Sequence, residues 1–123
     1  MDRRSEHVLV VDDEALVAFD LADIVEESGR TVLGPAVSIP EAEDLVARTL
    51  PQVALLDIDV RGELIWDFAR RLRARGCAPI FVSADVRPAS DGEFADCVFL
   101  SKPASVPAIR DALDRAFAAR QDG

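Results

Sequence analysis

Side chains that could bind a cation or a phosphoryl group follow short apolar runs at four places along the chain. Asp12 and Asp13 follow the first run, Asp57 the second, Ser83 the third and Lys102 the fourth. Lys102 is also the only lysine, since all other formal bases are arginines. Each residue taken alone is commonplace, because Asp and Ser often begin turns and acids often cap helices. The ordered set is what suggests chemistry.

That chemistry is phosphoryl transfer assisted by a divalent cation. Carboxylates from two strands can hold Mg²⁺, or Mn²⁺, which prefer oxygen ligands. One carboxylate can attack phosphorus to give an acyl phosphate. A lysine and a hydroxyl can bind the phosphoryl oxygens and balance their charge. The set therefore predicts an aspartate that accepts a phosphoryl group.

The apolar runs alternate with amphipathic segments, so strands and helices alternate along the chain. Five strands are predicted near residues 7–11, 31–37, 53–57, 79–82 and 97–100. Helices are predicted over residues 14–28, 39–48, 63–75 and 106–120, with Leu16, Phe19 and Leu64 among the core-facing residues. Residues 86–96 are rich in turn formers, and we expect a short or irregular fourth helix at most.

This alternation is typical of an α/β fold with a doubly wound, five-stranded parallel sheet and helices on both faces. The run beginning at Val53 lacks polar alternation, as expected for a strand buried on both faces. The strand of residues 31–37 contains Pro35 and is predicted at the sheet edge. Because parallel strands end at a common edge, the four polar positions should converge in one crevice.

Composition narrows the class of protein. Half of the 123 residues are hydrophobic, which indicates a single folded domain. The net charge of −9 argues against a primary nucleic-acid binder. No apolar run reaches the ~20 residues that span a bilayer, and no signal peptide is visible, so no membrane association is expected. Cys77 and Cys97 are interpreted as reduced thiols of a cytoplasmic protein.

The ordered motifs resemble the receiver domain of two-component response regulators. They are Asp12-Asp13, Asp57, Ser83-Ala84 and Lys102-Pro103, each after a predicted strand. The resemblance implies a flavodoxin-like sheet of strand order 2-1-3-4-5. It also implies a single receiver domain over residues 1–123, with its core at about 6–120 and no output domain. Such a domain is a signalling module and not an enzyme.

The resemblance implies specific roles for the acids. Asp57 would be phosphorylated by a histidine kinase or a histidine phosphotransfer protein, and the downstream target is not indicated. Mg²⁺ would be held by Asp13, Asp57 and the backbone carbonyl of Asp59, with Asp12 acting largely through water.

The same resemblance implies a conformational switch. Lys102 would pair with the acyl phosphate, and its bond to Pro103 would be cis. Ser83 would swing onto the phosphoryl group, and Phe99 would turn inward to fill the vacated space.

Some positions depart from the usual receiver pattern. Many receivers have a Met-Pro pair shortly after the phosphorylated aspartate. This chain has Val60-Arg61 there, followed by Gly62-Glu63. In this it is similar to short stand-alone receivers of α-proteobacteria. Asp59 and Asp85 lie two residues beyond Asp57 and Ser83, and we hypothesise that they alter the lifetime of the acyl phosphate.

Two alternatives remain at this stage. Asp57 and Asp59 also resemble the first motif of haloacid-dehalogenase-type phosphatases, with Asp57 as nucleophile and Asp59 as acid/base. The further acidic pair of that family would have to be Asp111 and Asp114, which lie within a predicted helix. The other alternative is a pseudo-receiver, which binds partners without being phosphorylated.

Overall fold

The structure is a computed structural model that describes residues 3–85 and 92–122. Its strands are β1 (His7–Val11), β2 (Thr31–Ala36), β3 (Val53–Leu56), β4 (Asp59–Val60), β5 (Glu63–Leu64), β6 (Ala78–Ser83) and β7 (Val98–Ser101). Its helices are α1 (Ala15–Glu27), α2 (Ile39–Arg48), α3 (Trp66–Ala74) and α4 (Val106–Asp122). A 3₁₀ turn at Arg3–Ser5 precedes β1.

Five strands form a fully parallel sheet in the order β2-β1-β3-β6-β7. This confirms the predicted order 2-1-3-4-5, because β6 and β7 are the fourth and fifth strands of the large sheet. The strand that contains Pro35 lies at the edge, as predicted. The order reverses between β1 and β3, so a crevice opens beyond their carboxyl ends.

Helices cover both faces of the sheet and create two apolar clusters. One cluster lies between the sheet and α2 and α3, and the other lies between the sheet and α1 and α4. All four residues of β3 are fully buried, which explains why this strand shows no polar alternation. Hydroxyl caps begin two helices, with Ser38 accepting from the backbone of Glu41 and Ser105 from that of Ala108.

The predicted inner face of α1 was wrong in part. Leu16 and Phe19 are 82% and 59% exposed, whereas Ala18, Leu21 and Val25 pack on the sheet. The reason is helical spacing, since residues four apart share a face. Leu16 precedes Asp20 by four residues and Phe19 precedes Asp23 by four, so both apolar side chains belong to the acidic face.

The predicted start of the third helix was also wrong. Residues 63 and 64 are not helical, because β4 and β5 pair antiparallel in a two-stranded hairpin that spans residues 59–64. The helix begins at Trp66 instead, and Leu64 is 49% exposed rather than part of the core. We refer to residues 59–64 as the β4–β5 hairpin.

The region of the doubtful fourth helix is only partly described. Residues 86–91 of that prediction lie outside the described residues, and residues 93–96 form turns. Arg70 donates two hydrogen bonds to Glu93, and Arg73 pairs with Asp96 at 2.5 Å. The arginines at the end of α3 therefore hold residues 93–96, which precede β7.

The two cysteines are predicted to differ in reactivity. Both thiols are free, as expected from the sequence. Burial raises the pKa of Cys77 to about 12, and it also raises the pKa of the less buried Cys97. Because the thiolate is the reactive form, we expect iodoacetamide at pH 8 to modify native Cys97 slowly and Cys77 much more slowly. Peptide mass spectrometry against a urea-unfolded control measures both, and faster labelling of Cys77 would contradict the prediction.

Candidate functional site at the carboxyl edge of the sheet

The first pair of acids lies immediately after β1. Asp12 is fully buried, and its backbone amide donates to Ala36 O at 3.0 Å, at the end of β2. Its Oδ1 accepts the amide of Glu14 at 2.9 Å, at the start of α1. Burial is the main influence on this carboxyl group and raises the pKa of Asp12 above its usual value, against the opposing effect of Lys102. Asp13 is only partly buried and faces the crevice rim.

Asp57 lies one residue after β3, with its backbone amide bonded to Val11 O at 2.9 Å. Its side chain is almost completely buried. Oδ1 accepts two hydrogen bonds, from the amide of Ile58 at 2.8 Å and from the Ser83 hydroxyl at 2.9 Å. Ser83 is the last residue of β6, so the pairing of β3 with β6 brings it to the carboxylate.

Lys102 reaches the same point from the end of β7, where its backbone amide bonds Ser83 O at 3.0 Å. Its Nζ lies 3.2 Å from Asp57 Oδ2 and 2.6 Å from Asp12 Oδ2, and its side chain is 12% exposed. Burial alone would lower the pKa of Lys102, but the two ion pairs outweigh it and raise the pKa above the usual value. The peptide bond between Lys102 and Pro103 is cis.

Three carboxylates lie close to one another at this edge of the sheet. Asp12, Asp13 and Asp57 each offer an oxygen, and these oxygens lie within 4.8 Å of one another. Among the residues that the structure describes, no hydrogen-bond donor in good geometry reaches Asp12 Oδ2, whose close neighbour is the Lys102 ammonium. Three hard oxygen donors at this spacing fit a divalent cation such as Mg²⁺. We refer to these three residues as the acidic cluster.

The β4–β5 hairpin closes one side of the acidic cluster. The backbone amide of Arg61 donates to Asp13 Oδ2 at 2.8 Å. Asp59 is exposed, and its Oδ1 accepts the amide of Gly62 at 2.8 Å. Arg61 is a site neighbour that sequence reasoning missed. The signal that could have revealed it is the pair Arg61-Gly62 between two short extended stretches, which is the spacing of a two-residue hairpin loop.

Known proteins share both the sequence pattern and the fold. No protein-family model matches the chain. The transcriptional regulatory protein PdtaR of Mycobacterium tuberculosis is 32% identical over 75 residues, which are 61% of this chain and 37% of that protein. The sensory transduction protein LytT of Bacillus subtilis is 33% identical over 63% of this chain and 32% of its own length. The chain thus spans about a third of these relatives.

Solved structures match over nearly the whole chain. The receiver domain of Erythrobacter litoralis PhyR superposes with a TM-score of 0.83 at 24% identity, covering 92% of this chain and 90% of that domain. A CheY-like receiver domain from Methanospirillum hungatei gives 0.85 at 16% identity, covering 95% and 97%. The chain has the fold of a response regulator receiver domain. The expected resemblance is therefore confirmed in fold and in part of the sequence.

A group of aromatic side chains packs together beside the end of β6. Phe99 is half-buried, and its ring stacks on that of Phe81 with centroids 4.8 Å apart. Phe81 also contacts Trp66 and Phe94, at 5.2 and 5.3 Å. Phe81 precedes Ser83 by two residues on β6, so the two side chains lie on the same face of the sheet.

The remaining predicted residues lie at the rim or elsewhere. Asp85 is exposed, two residues beyond Ser83. Asp111 and Asp114 lie on α4, where they pair with Arg115 and Arg30 respectively. This placement gives no support to the acidic pair that the phosphatase alternative needs. In the described part of the chain no helix is both long and apolar enough to cross a membrane.

Proposed function

We propose that this receiver domain accepts a phosphoryl group on Asp57 from a histidine kinase or a histidine phosphotransfer protein, and thereby controls a partner protein. The observation that carries the proposal is the Asp57 carboxylate itself. It is buried, bonded by Ser83 and Lys102, and accompanied by two further carboxylates within 4.8 Å. The exchange would take place in the cytoplasm, which the two free thiols support.

The chemical step is a displacement at phosphorus. An oxygen of the Asp57 carboxylate forms a bond to the phosphorus atom, and the phosphorus–nitrogen bond of a phosphohistidine breaks. The electron pair of that bond stays on the leaving imidazole nitrogen, and the imidazole takes its proton from solvent water. Lys102 stands 3.2 Å from the other oxygen of Asp57, where its charge offsets that of the incoming group. Ser83 can donate its hydroxyl proton to a phosphoryl oxygen instead of the carboxylate.

A divalent cation fits the same site. Mg²⁺ or Mn²⁺, when bound, would neutralise part of the negative charge shared by the carboxylates and the phosphoryl oxygens. Asp13 and Asp57 would hold it with the backbone carbonyl of Asp59, and Asp12 would act largely through water. Fully buried Asp12 is suited to this outer role because its Oδ1 is already used by the amide of Glu14.

The switch would pass from Ser83 to Phe99. In this structure Ser83 already bonds Asp57, and Phe99 already stacks on Phe81. On phosphorylation the Ser83 hydroxyl would follow the phosphoryl oxygen outward, and Phe99 would adjust its packing against Phe81. Such a change between two packed arrangements alters the surface that a partner recognises.

The rim acids Asp59 and Asp85 would tune the lifetime of the acyl phosphate. Both are exposed beside the phosphoryl position, where a carboxylate can orient or repel attacking water. Equal dephosphorylation rates in wild type, Asp59→Asn and Asp85→Ala would exclude this role.

Phosphorylation of Asp57 is tested by intact-mass spectrometry after incubation with Mg²⁺ and acetyl phosphate. We expect one phosphoryl adduct on the wild-type chain, because acetate is a leaving group that needs no kinase. The adduct should disappear in Asp57→Asn and when EDTA removes the cation. Asp44→Asn, on the outer part of α2, is the matched control and should be phosphorylated normally.

Two outcomes would favour the alternatives. A folded chain that forms no adduct and releases no phosphate would be a pseudo-receiver. A chain that turns over p-nitrophenyl phosphate would be a phosphatase, because a receiver domain is not expected to hydrolyse a phosphate ester. Either result would overturn the proposed function.

A further inference from the structure

Arg61 has an unusual backbone conformation beside the acidic cluster. Its φ is 55°. No other non-glycine residue in the described part of the chain has a positive φ. Arg61 and Gly62, whose φ is 83°, are the two loop residues between paired Val60 and Glu63. Two positive φ values in a two-residue loop define a type I′ turn, in which Asn or Gly is usual at the first position. An arginine there is strained and is held by its surroundings.

Three hydrogen bonds hold this turn. The Arg61 amide donates to Asp13 Oδ2 at 2.8 Å, and the Arg61 Nε donates to the carbonyl of Val37 at 3.1 Å. The amide of Gly62 donates to Asp59 Oδ1 at 2.8 Å. The guanidinium group thus ties the hairpin to the segment after β2, while the amide of the same residue holds one oxygen of Asp13.

We propose that Arg61 is a positioning residue for the cation site, acting through its backbone amide and not through its charge. This inference rests on the proposed function, since it assumes that Asp13 binds the cation. Because the amide of Arg61 holds Oδ2, rotation of the Asp13 carboxylate is restricted. The lone pairs that are left for the cation then keep a fixed orientation. Groups that orient a ligand in this way contribute to metal affinity without touching the metal.

Charge and positioning predict opposite results for this residue. A guanidinium group near a cation site repels the cation, so removing it would strengthen binding if charge dominated. Removing the tie to Val37 would weaken binding if positioning dominated, because the strained turn would then open more often. Residues that favour the left-handed conformation should restore the turn without restoring the charge.

The test is a titration of the full chain with Mn²⁺. The electron paramagnetic resonance signal of the free ion monitors the titration and gives the dissociation constant. We expect Arg61→Ala to weaken Mn²⁺ binding about three- to ten-fold, in line with the loss of the hydrogen bond to Val37 that holds the strained turn. Arg61→Gly and Arg61→Asn should bind within about two-fold of wild type. Arg75→Ala, at the far end of α3, removes the same charge and should bind as wild type does.

The possible failures can be told apart. If all three Arg61 variants bind Mn²⁺ more tightly, or all bind equally, positioning by Arg61 is wrong and the cation site still stands. If wild type binds no Mn²⁺, or if Asp13→Asn leaves binding unchanged, the cation site of the proposed function is wrong and this inference is wrong with it. Urea unfolding of each variant checks that a loss of Mn²⁺ affinity does not follow from a loss of fold.

Discussion

Replacing Lys102 by methionine is expected to destabilise the domain by about 3 kcal/mol in the absence of a divalent cation. The ammonium group lies 2.6 Å from Asp12 and 3.2 Å from Asp57, whose side chains are almost completely buried. Methionine fills a similar volume, so the loss arises from charge and not from a cavity. Without the lysine, the two buried carboxylates lose the ammonium charge that offsets their mutual repulsion. Removing one partner of a buried ion pair is costly because the other partner stays buried and uncompensated.

Urea unfolding in EDTA at pH 7.5 measures this loss. Lys102→Arg keeps the charge and should be destabilised much less, although its planar group cannot place one point charge between two carboxylates. The double variant Lys102→Met with Asp12→Asn removes one of the stranded charges and should recover part of the lost free energy of unfolding. A single variant as stable as wild type would contradict the ion-pair explanation.

The difference in free energy of unfolding between wild type and Lys102→Met should depend on pH in a definite direction. The folded-state pKa of Lys102 is raised above the ordinary value of 10.5. A raised pKa of a basic group means that its stabilising contribution is fully present below pH 10.5 and is lost as pH rises through the folded value. The free-energy difference between wild type and Lys102→Met should therefore shrink as pH rises into strong alkali.

The meeting of the polar side chains at one edge of the sheet was predictable from sequence, because it depends on the topology of the sheet alone. Parallel strands end at one edge, so residues that follow strands must meet there whatever the detail of their packing. This is why Asp12, Asp57, Ser83 and Lys102 lie together as expected. The bond from the Arg61 amide to Asp13 was not predictable in the same way. It depends on a type I′ turn with arginine at a position where Asn or Gly is usual.

The exposed face of α1 shows a second limit of the sequence pattern. Apolar residues occur on two sides of this helix, and only contact with the sheet decides which side is buried. The buried stripe combines small and large side chains, namely Ala18, Leu21, Ala22, Ile24 and Val25, whereas Leu16 and Phe19 point outward. A hydrophobicity pattern favours the larger side chains, but close packing of a helix on a sheet accepts small ones.

Replacing Arg30 by alanine is expected to destabilise the domain by about 3 kcal/mol, at a place remote from the cation site. The side chain of Arg30 is 3% exposed, although arginine is rarely buried. Its Nε pairs with Glu6 and its Nη1 with Asp114, both at 3.0 Å. The guanidinium group also lies 4.5 Å from the ring centre of Phe117. One side chain thus joins the start of β2 to the N-terminal segment and to α4.

The free energy of unfolding that Arg30→Ala loses comes partly from charge and partly from packing. Two further variants separate these contributions. Arg30→Lys keeps a positive charge but cannot make two directed bonds while covering the Phe117 ring, so it should lose about 1–2 kcal/mol. Arg30→Met restores packing without charge and leaves Glu6 unpaired at 15% exposure. If the ion pairs dominate, methionine should be as destabilising as alanine, and if burial of the stem dominates, methionine should approach wild type. We expect urea unfolding to show methionine as destabilising as alanine, because the Glu6 carboxylate is only 15% exposed in this structure and an unpaired carboxylate with little access to water is costly.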